Sequence, residues 1–204
     1  MVTFKEASQR DVNDVYQFRY KIYVEEMKRN QKYADHKLKR VMTPLDTTAI
    51  NLIARKDDEI VGAVRLNLRK DGDCIYYRNL YDIDKINGVT LKNSSYSTGL
   101  MIDKKYRNSL LPVRLCLRAV QIYLDNNIQY NFIDCNEHLA HFFKRFGYKE
   151  YIGRVYHKEY GWVFPMVIDY CDTDYLRSIK SPFLKAYSAS AFSQPLQDRC
   201  EVLF

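Results

Sequence analysis

Apolar and polar positions recur along the chain with two periods, which predict helices and strands. Apolar residues at Val12, Val15, Ile22 and Tyr23 follow a helical period, and Ser8 before them is a candidate N-cap. Short apolar runs bounded by polar turns predict strands. The predicted elements are a helix over 8–27, strands over 50–54 and 60–68, a short helix near 78–86, a strand over 96–102, a helix over 110–126, a strand over 130–135, a helix over 137–146 that ends at Gly147, and strands over 148–156 and 162–170.

This order predicts an α/β fold with a mixed sheet that has hairpins at both ends. The strands on either side of helix 110–126 form a βαβ crossover, which is right-handed and places a helix N-terminus beyond a strand end. Residues 28–48 are polar and irregular. We expect a single domain over 1–170, followed by a C-terminal extension over 171–204 with a short helix. Apolar patterning fades after Leu184, which favours a disordered tail.

The composition excludes two broad classes of protein. The 204 residues are 47% hydrophobic and 28% charged, which excludes a wholly disordered chain. No apolar run approaches the ~20 residues that span a bilayer, and the N-terminus lacks the pattern of a secretory signal. Five scattered cysteines, with no CxxC pair, argue against a disulfide framework and against a zinc finger. We therefore expect a cytoplasmic protein whose cysteines are small core residues.

The net charge of +7 indicates an anionic partner. Nucleic acid, a membrane surface, a phosphate-bearing cofactor and an acidic protein all satisfy this condition. The basic residues are dispersed over several segments, so solvated surface between core elements explains them equally well. Dispersal and the lack of a nucleic-acid-binding signature argue against nucleic acid, while a peripheral membrane contact stays open.

One local motif resembles the GNAT acyltransferase superfamily. It reads Asn136-x-x-Leu139-x-x-x-Phe143-x-x-x-Gly147-Tyr148 and follows a short apolar strand. The superfamily pattern is N-x-x-A-x-x-x-Y-x-x-x-G-F at the same spacing. Residues 100–107, LMIDKKYR, are similar to the family strand and turn that precede a long helix. The resemblance implies a GNAT-like mixed, mostly antiparallel central sheet of about six or seven strands with flanking helices.

The front of the chain narrows the resemblance to one branch. Residues 18–26 (FRYKIYVEE), 46–54 (DTTAINLIA) and 60–66 (IVGAVRL) resemble acyl-homoserine-lactone synthases and long-chain N-acyl amino acid synthases. The closing run 161–169 (GWVFPMVID) is similar to the latter group. Lactone synthases carry a Glu and an Arg, E-x-S-R, where this chain has 96–99 (YSTG), which argues for a different acceptor amine.

The resemblance implies an enzyme that transfers a fatty acyl group from an acyl thioester to the amine of an amino acid or similar small acceptor, by direct attack. The implied co-substrate is the acyl-phosphopantetheine of an acyl carrier protein, or acyl-CoA, with no tightly bound cofactor. The turn at 107–112 (RNSLLP) has no glycine, whereas enzymes that bind acetyl-CoA use glycines to approach the pyrophosphate. This favours acyl carrier protein as donor and partner. The alternatives are an acetyl-CoA-dependent N-acetyltransferase and a catalytically weak GNAT-like binding protein.

The candidate site residues fall into three groups. Arg65 is predicted on a central strand, where a buried arginine needs an anionic partner, either Asp46 or a substrate carboxylate. The alternative is that the strand lies at the edge of the sheet and Arg65 faces water. Glu137 and His138 follow the strand 130–135 and are candidate acid–base groups. His138 and His141 lack a third metal ligand, so no metal site is expected. The catalytic candidates are Glu137, Arg65, Asp46 and His138; the cofactor-binding candidates are Met101, Ile102, Arg107, Ser109, Arg114, Asn136 and Phe143; the substrate-binding candidates are Arg19 and Glu25.

Phe143 departs from the family pattern in a way that affects the chemistry. The family often places a tyrosine there, which protonates the departing thiolate, and phenylalanine has no proton to give. The resemblance therefore leaves the proton donor of this chain unassigned.

Overall fold

The computed structural model of the protein describes residues 1–188. The strands are β1 (Thr3–Glu6), β2 (Ala34–Asp35), β3 (Arg40–Val41), β4 (Ile50–Lys56), β5 (Glu59–Leu68), β6 (Ser94–Ile102), β7 (Tyr130–Cys135), β8 (Lys149–Glu150), β9 (Val155–His157) and β10 (Gly161–Asp169). The α-helices are α1 (Val12–Tyr20), α2 (Ile75–Leu80), α3 (Leu111–Asp125), α4 (Glu137–Phe146), α5 (Thr173–Ser178) and α6 (Leu184–Ser188). A π-helical segment, Lys21–Glu26, continues α1, and 3₁₀ turns lie at Pro44–Thr47, Ile83–Lys85 and Lys104–Tyr106.

The main sheet has the strand order β1-β4-β5-β6-β7-β10-β8, and β9 pairs with the start of β10. Its pairings are antiparallel except for that of β6 with β7, which α3 connects. The predicted mixed, mostly antiparallel sheet with one crossover is therefore confirmed. The sequence pattern missed β1, which pairs with β4, and the two-residue pair of β2 with β3.

The first helix begins later than the pattern predicts. The Asp11 carboxylate accepts hydrogen bonds from the Ser8 backbone N–H at 2.8 Å and from its hydroxyl at 2.6 Å. Ser8 therefore belongs to a turn before the helix, and α1 begins at Val12. The helix ends in wider π turns, which place Ile22 and Tyr23 in the core.

The two faces of strand β5 carry chemically different side chains. Val64, Leu66 and Leu68 point to one face and join the large core cluster with α3 and α4. The intervening residues, Arg65 and Asn67, point to the other face and are also buried. Because side chains alternate along a strand, one buried strand supplies an apolar layer and a polar stripe.

Strands β6 and β7 separate after a short parallel contact. Their pairing covers Ser94–Tyr96 against Tyr130–Phe132 and stops there. The register of β6 against β5 shifts between Ala63 and Arg65, opposite Gly99, whose φ is +63°. A bulge with a left-handed glycine bends a strand, so β6 leaves β7 and the backbone edge of β6 from Ser97 onward is free of β7. We call this opening the β6–β7 splay.

The C-terminal extension contributes to the main core. Leu176, Phe183 and Ala186 are buried in the cluster that includes α3 and β10. Cys171 is disulfide-bonded, so the expectation that every cysteine is a plain core residue is wrong at that position. The predicted disordered tail falls, from residue 189 onward, outside the described residues. Within residues 1–188, no helix is both long enough and apolar enough to cross a membrane.

Candidate active site

The site lies in a polar gap between two apolar clusters on the α1 face of the sheet. Ala63 and Met101, paired across β5 and β6, belong to the cluster under α1. Further along, Tyr96 belongs to a second cluster with Tyr77 of α2 and with Tyr81, which follows that helix. Between them lies the pair formed by Arg65 and Thr98. The strand register thus places a guanidinium where the apolar packing is interrupted.

Arg65 joins a buried network centred on one carboxylate. Arg19 donates two hydrogen bonds to Asp46, at 2.6 and 2.9 Å, and Arg65 Nη1 lies 3.3 Å from the same carboxylate. Arg65 also donates to the hydroxyls of Thr43 at 2.6 Å and Thr98 at 2.9 Å. The side chains of Arg19, Asp46 and Arg65 are 3%, 2% and 6% exposed. The three residues therefore form one enclosed unit.

The charge of this unit is not balanced. Burial on its own raises the pKa of Asp46, but the hydrogen bond from Arg19 and the charges of Arg19 and Arg65 outweigh it and hold the pKa below 3.8. One carboxylate thus faces two guanidinium groups. Arg65 donates through Nε and Nη1, and within residues 1–188 its Nη2 has no acceptor. A positively charged donor is left for an anion.

A cavity of about 590 Å³ opens beside Arg65. Besides Arg65, four segments line it: 30–33 after the first helix, 43–45 at the start of the turn Pro44–Thr47, residues around the start of α2, and 157–160, which comprise the end of β9 and the turn after it. The lining includes four tyrosines and His157, the cations Arg65, Lys32 and Lys158, and one anion, Glu159. Such a cavity suits a small molecule that carries an anionic group and apolar surface.

His157 forms a rigid, uncharged part of the cavity wall. Its ring stacks on Tyr160 at 4.4 Å and on Tyr77 at 6.1 Å, and its Nδ1 accepts a hydrogen bond from the Glu159 backbone N–H at 3.1 Å. Burial, followed by the charge of Arg29, lowers the pKa of His157 to about 4. The ring is therefore neutral near pH 7 and carries its proton on Nε2.

A set of contacts around Asn136 fixes the position of the 157–160 segment that lines the cavity. Asn136 accepts a hydrogen bond from Arg29 at 3.0 Å and donates to the carbonyl oxygens of Tyr160 at 3.0 Å and Trp162 at 3.3 Å. The Arg29 guanidinium also lies over the rings of Tyr23 and Tyr160, at 5.7 and 5.0 Å. Asn136 thus ties the segment after the first helix to the β9–β10 turn, in addition to the cofactor-binding role that the resemblance implies.

The other cofactor-binding candidates lie around the splay and the start of α3. Met101 and Ile102 are buried on β6. Arg107 forms an ion pair with Glu26 at 2.5 Å. The Ser109 hydroxyl accepts from the Leu111 N–H at 3.1 Å. Arg114 is exposed on the first turn of α3. Phe143 lies on the opposite face of the sheet, where it lines an apolar cavity of about 40 Å³.

The structure does not bring every predicted residue to the cavity. Glu137 and His138 are exposed at the start of α4, and neither lines the cavity. Glu25 is exposed and forms an ion pair with Lys39 at 3.2 Å. Arg19 uses its donors on Asp46 and on the Val41 carbonyl oxygen. The catalytic role of Glu137 and His138 and the substrate-binding role of Arg19 and Glu25 stay predictions.

Sequence reasoning missed His157, Tyr160 and Asn67. The run 63–68, AVRLNL, alternates apolar and polar residues and could have placed Asn67 on the same face as Arg65. The sequence places Asp134 in one acid–base cluster with Glu137 and His138, and in the structure Asp134 lies on β7 and is partly buried. No sequence signal placed His157 and Tyr160, because long-range packing brings their turn to Arg65.

Comparisons with known proteins agree with this architecture. A family model described as N-acyl amino acid synthase FeeM matches residues 14–168. Among solved structures, FeeM, an N-acyl amino acid synthase from uncultured soil microbes, is similar with a TM-score of 0.61 and 10% identity, over 94% of this chain and 96% of that chain. No curated protein sequence matches the chain.

Two further structures share the fold. TofI, solved in a ternary complex with an inhibitor and MTA, has a TM-score of 0.67 and 14% identity, over 90% of this chain and 98% of that chain. BjaI, a CoA-dependent acyl-homoserine lactone synthase, has a TM-score of 0.65 and 16% identity, over 89% and 90% of the two chains. Identities this low show the fold alone.

The family model spans most of the chain, including the Arg19–Asp46–Arg65 unit, the splay and α4. The resemblance to GNAT-like acyltransferases and to this branch is therefore confirmed. The chain belongs to the N-acyl amino acid synthase FeeM family and is an acyltransferase.

Proposed function

We propose that the protein is an N-acyltransferase that moves a fatty acyl group from the phosphopantetheine thioester of an acyl carrier protein to the amine of an amino acid or similar small acceptor. The observation that carries this proposal is the unbalanced positive charge of Arg65, which borders a half-open cavity beside the β6–β7 splay. Acceptor and donor would meet where cavity and splay adjoin.

The cavity supports an acceptor with a carboxylate. Arg65 Nη2 is an unused charged donor, and charge-assisted hydrogen bonds to carboxylates are stronger than neutral ones. Asp46 and the hydroxyls of Thr43 and Thr98 fix the guanidinium in place. An acceptor held by its carboxylate would direct its amine away from Arg65.

The splay supports a donor that carries amides. From Ser97 to Ile102, β6 is paired with β5 on one side and free of β7 on the other. Unpaired backbone groups of a strand bind extended chains by completing the ladder. The two amides of a pantetheine arm can pair with this edge near Met101 and Ile102, as the resemblance implies.

The surface at the outer end of the splay supports a carrier protein. Lys104, Lys105 and Arg114 are exposed there, and Leu110, 66% exposed, lies among them. A basic patch around an apolar side chain fits an acidic protein better than a free nucleotide. BjaI is described as CoA-dependent, so acyl-CoA is the alternative donor.

We favour Asp134 over Glu137 as the group that accepts the proton of the attacking amine. Burial raises the pKa of Asp134, although the nearby hydroxyl of Tyr81 and the charges of Arg29 and Arg65 lower it in part. A carboxylate with a raised pKa is a better base near neutral pH than an exposed one. We expect Asp134→Asn to lower kcat at least tenfold and Glu137→Gln to change it less than twofold.

The test is an assay of the purified full chain with acyl carrier protein or CoA thioesters of C8 to C16 chains and a pool of amino acids, read by mass spectrometry. We expect N-acyl amino acids, formed faster from the carrier protein. Lys104→Glu with Lys105→Glu should raise KM for the carrier protein about tenfold. The matched control, Lys92→Glu with Lys180→Glu, changes the net charge equally far from the splay and should have little effect. Equal or faster turnover with CoA, unchanged by the first pair, would overturn the carrier as donor.

A further inference from the structure

Tyr23 occupies a position that the proposed reaction has not yet used. It lies in the π-helical segment Lys21–Glu26 and is 7% exposed. A Cβ built on Gly99 would lie 3.5 Å from the Tyr23 hydroxyl oxygen, which is its nearest neighbour. The hydroxyl therefore faces the bulge where β6 leaves β7. Inserted π turns are frequent at functional sites because they redirect single side chains.

The Tyr23 hydroxyl is unused by the rest of the protein. Within residues 1–188 its oxygen has no hydrogen-bond partner. Its ring packs in the apolar cluster under α1 and contacts Tyr160 and Arg29. The Tyr23 hydroxyl oxygen is not among the fully enclosed polar atoms without a partner in the described residues. Its oxygen thus borders the open space of the splay. Gly99 keeps that space free of a side chain.

We propose that the Tyr23 hydroxyl donates the proton to the thiolate that leaves during acyl transfer. This inference rests on the proposed function. The amine nitrogen bonds to the thioester carbon, the C–S bond breaks, and the Tyr23 O–H proton passes to sulfur. The nitrogen gives up the matching proton, which reaches Tyr23 through Asp134 or solvent and restores the hydroxyl. One N–H bond is lost and one S–H bond is gained, so nothing else is consumed.

Two observations favour Tyr23 over other groups. Phe143 lies where the family often has its tyrosine acid, and it has no proton to give. Arg19, Arg29 and Arg65 are the cations that act on Tyr23, with Asp134 as the nearby acidic group, and the Arg29 guanidinium lies over its ring. Burial raises the pKa of Tyr23, and the three arginines lower it in part, so the hydroxyl stays protonated at neutral pH. The same cations stabilise the phenolate that forms briefly.

The test compares Tyr23→Phe with the wild-type chain on two thioesters of the same fatty acid. One has the phosphopantetheine thiol as leaving group, and the other has a nitro-substituted aryl thiol whose pKa is several units lower. A thiolate that leaves easily needs no acid. We expect Tyr23→Phe to lower kcat about 100-fold on the first thioester and less than threefold on the second. Tyr20→Phe is the matched control, because the Tyr20 hydroxyl bonds His36 at 2.9 Å, and its activity should be unchanged.

The outcomes separate the two proposals. If the wild type turns over both thioesters and the kcat of Tyr23→Phe stays within threefold of it on each, the role of Tyr23 is overturned and the proposed function stands. An equal loss on both thioesters would also overturn the proton transfer, since it indicates a donor to the carbonyl oxygen. No N-acylation by the wild type would overturn the proposed function and, with it, this inference. Melting temperatures within a few degrees of wild type show that the isosteric variants are folded.

Discussion

Two clusters of arginine and aspartate lie at the two ends of the polar stripe on β5, and they differ in charge balance. The cavity cluster contains Arg19, Arg65 and Asp46, so two cations share one anion. The edge cluster, beyond the end of β5, has two cations and two anions. Its members are Arg69, Arg78, Asp73 and Asp84.

Burial separates the clusters as well. The members of the cavity cluster are all nearly inaccessible. In the edge cluster Arg78 and Asp84 are 48% and 46% exposed, whereas Arg69 and Asp73 are 2% and 17% exposed. The edge cluster is balanced in charge and two of its four members are half-exposed to solvent, so it needs no further anion. An enclosed cluster with a surplus positive charge is expensive unless an anion completes it. The comparison indicates that the edge cluster supports the fold, while the cavity cluster is arranged for a ligand.

The largest expected effect is the loss of the shared carboxylate. Asp46→Asn would leave two enclosed guanidinium groups without an anion, and we expect it to lower the free energy of unfolding by about 3–5 kcal/mol. Urea denaturation of the variant and the wild type measures this. A loss below about 1 kcal/mol would mean that the cavity cluster is no more demanding than a surface pair.

The next effect concerns activity and compares one arginine from each cluster. Arg65→Gln should lower kcat/KM for the acceptor about 100-fold, because the charged donor to its carboxylate is removed while Arg19 still neutralises Asp46. Arg69→Gln should leave kcat/KM within about threefold and lower only stability. Steady-state kinetics at saturating donor distinguishes them, and similar losses for both variants would contradict the assignment of the cavity cluster to substrate.

The pH dependence of the free energy of unfolding distinguishes His157, in the cavity wall, from the carboxylates of the two clusters. The pKa of His157 is lowered from 6.5 to about 4 in the folded chain. As the pH falls, His157 is therefore protonated in the unfolded chain before it is protonated in the folded chain. Its contribution is complete above pH 6.5 and is lost as the pH falls towards 4, by about 2–3 kcal/mol. His157→Phe, which keeps a stacked ring, should flatten the free energy of unfolding over this window, and His138→Gln, an exposed control, should not. An unchanged slope in His157→Phe would place the titrating group elsewhere.

The carboxylates of the two clusters change the stability over a lower pH range than His157 does. Burial on its own raises the pKa values of Asp46 and Asp84, but their arginine partners outweigh it and keep both below 3.8. Their contributions are therefore complete above pH 3.8 and are lost only below it. This separation keeps the His157 measurement free of their titration.

The smallest expected effect belongs to the edge cluster. Asp84→Asn removes a half-exposed carboxylate, while Arg69 keeps its 2.9 Å contact with Asp73. Solvent screens such a pair, so we expect a stability loss within about 1 kcal/mol that shrinks further at high salt. Thermal unfolding at low and high ionic strength checks both parts. A loss as large as that of Asp46→Asn would remove the contrast between the clusters.

Local sequence patterns predicted much of the fold and less of the site. The β4–β5 hairpin, α3, β7 and α4 follow from short-range periodicity, and Gly147 ends α4 with a φ of +115° as expected. Strand β1 was missed because four residues carry too little pattern. Its pairing with β4, fifty residues away, forms only in the folded sheet.

For the site, the sequence by itself determined the chemistry of individual positions. A buried arginine on an apolar strand demands an anion, and Asp46 and a substrate carboxylate were both available as that anion. Only the tertiary structure decided that Asp46 is already shared with Arg19, that Arg65 keeps a free donor, and that Tyr23 faces Gly99 across the splay. The physical reason is range. Periodicity and propensity act over a few residues. The charge balance and burial of a cluster, and the direction of a hydroxyl group, depend on segments that only tertiary packing brings together.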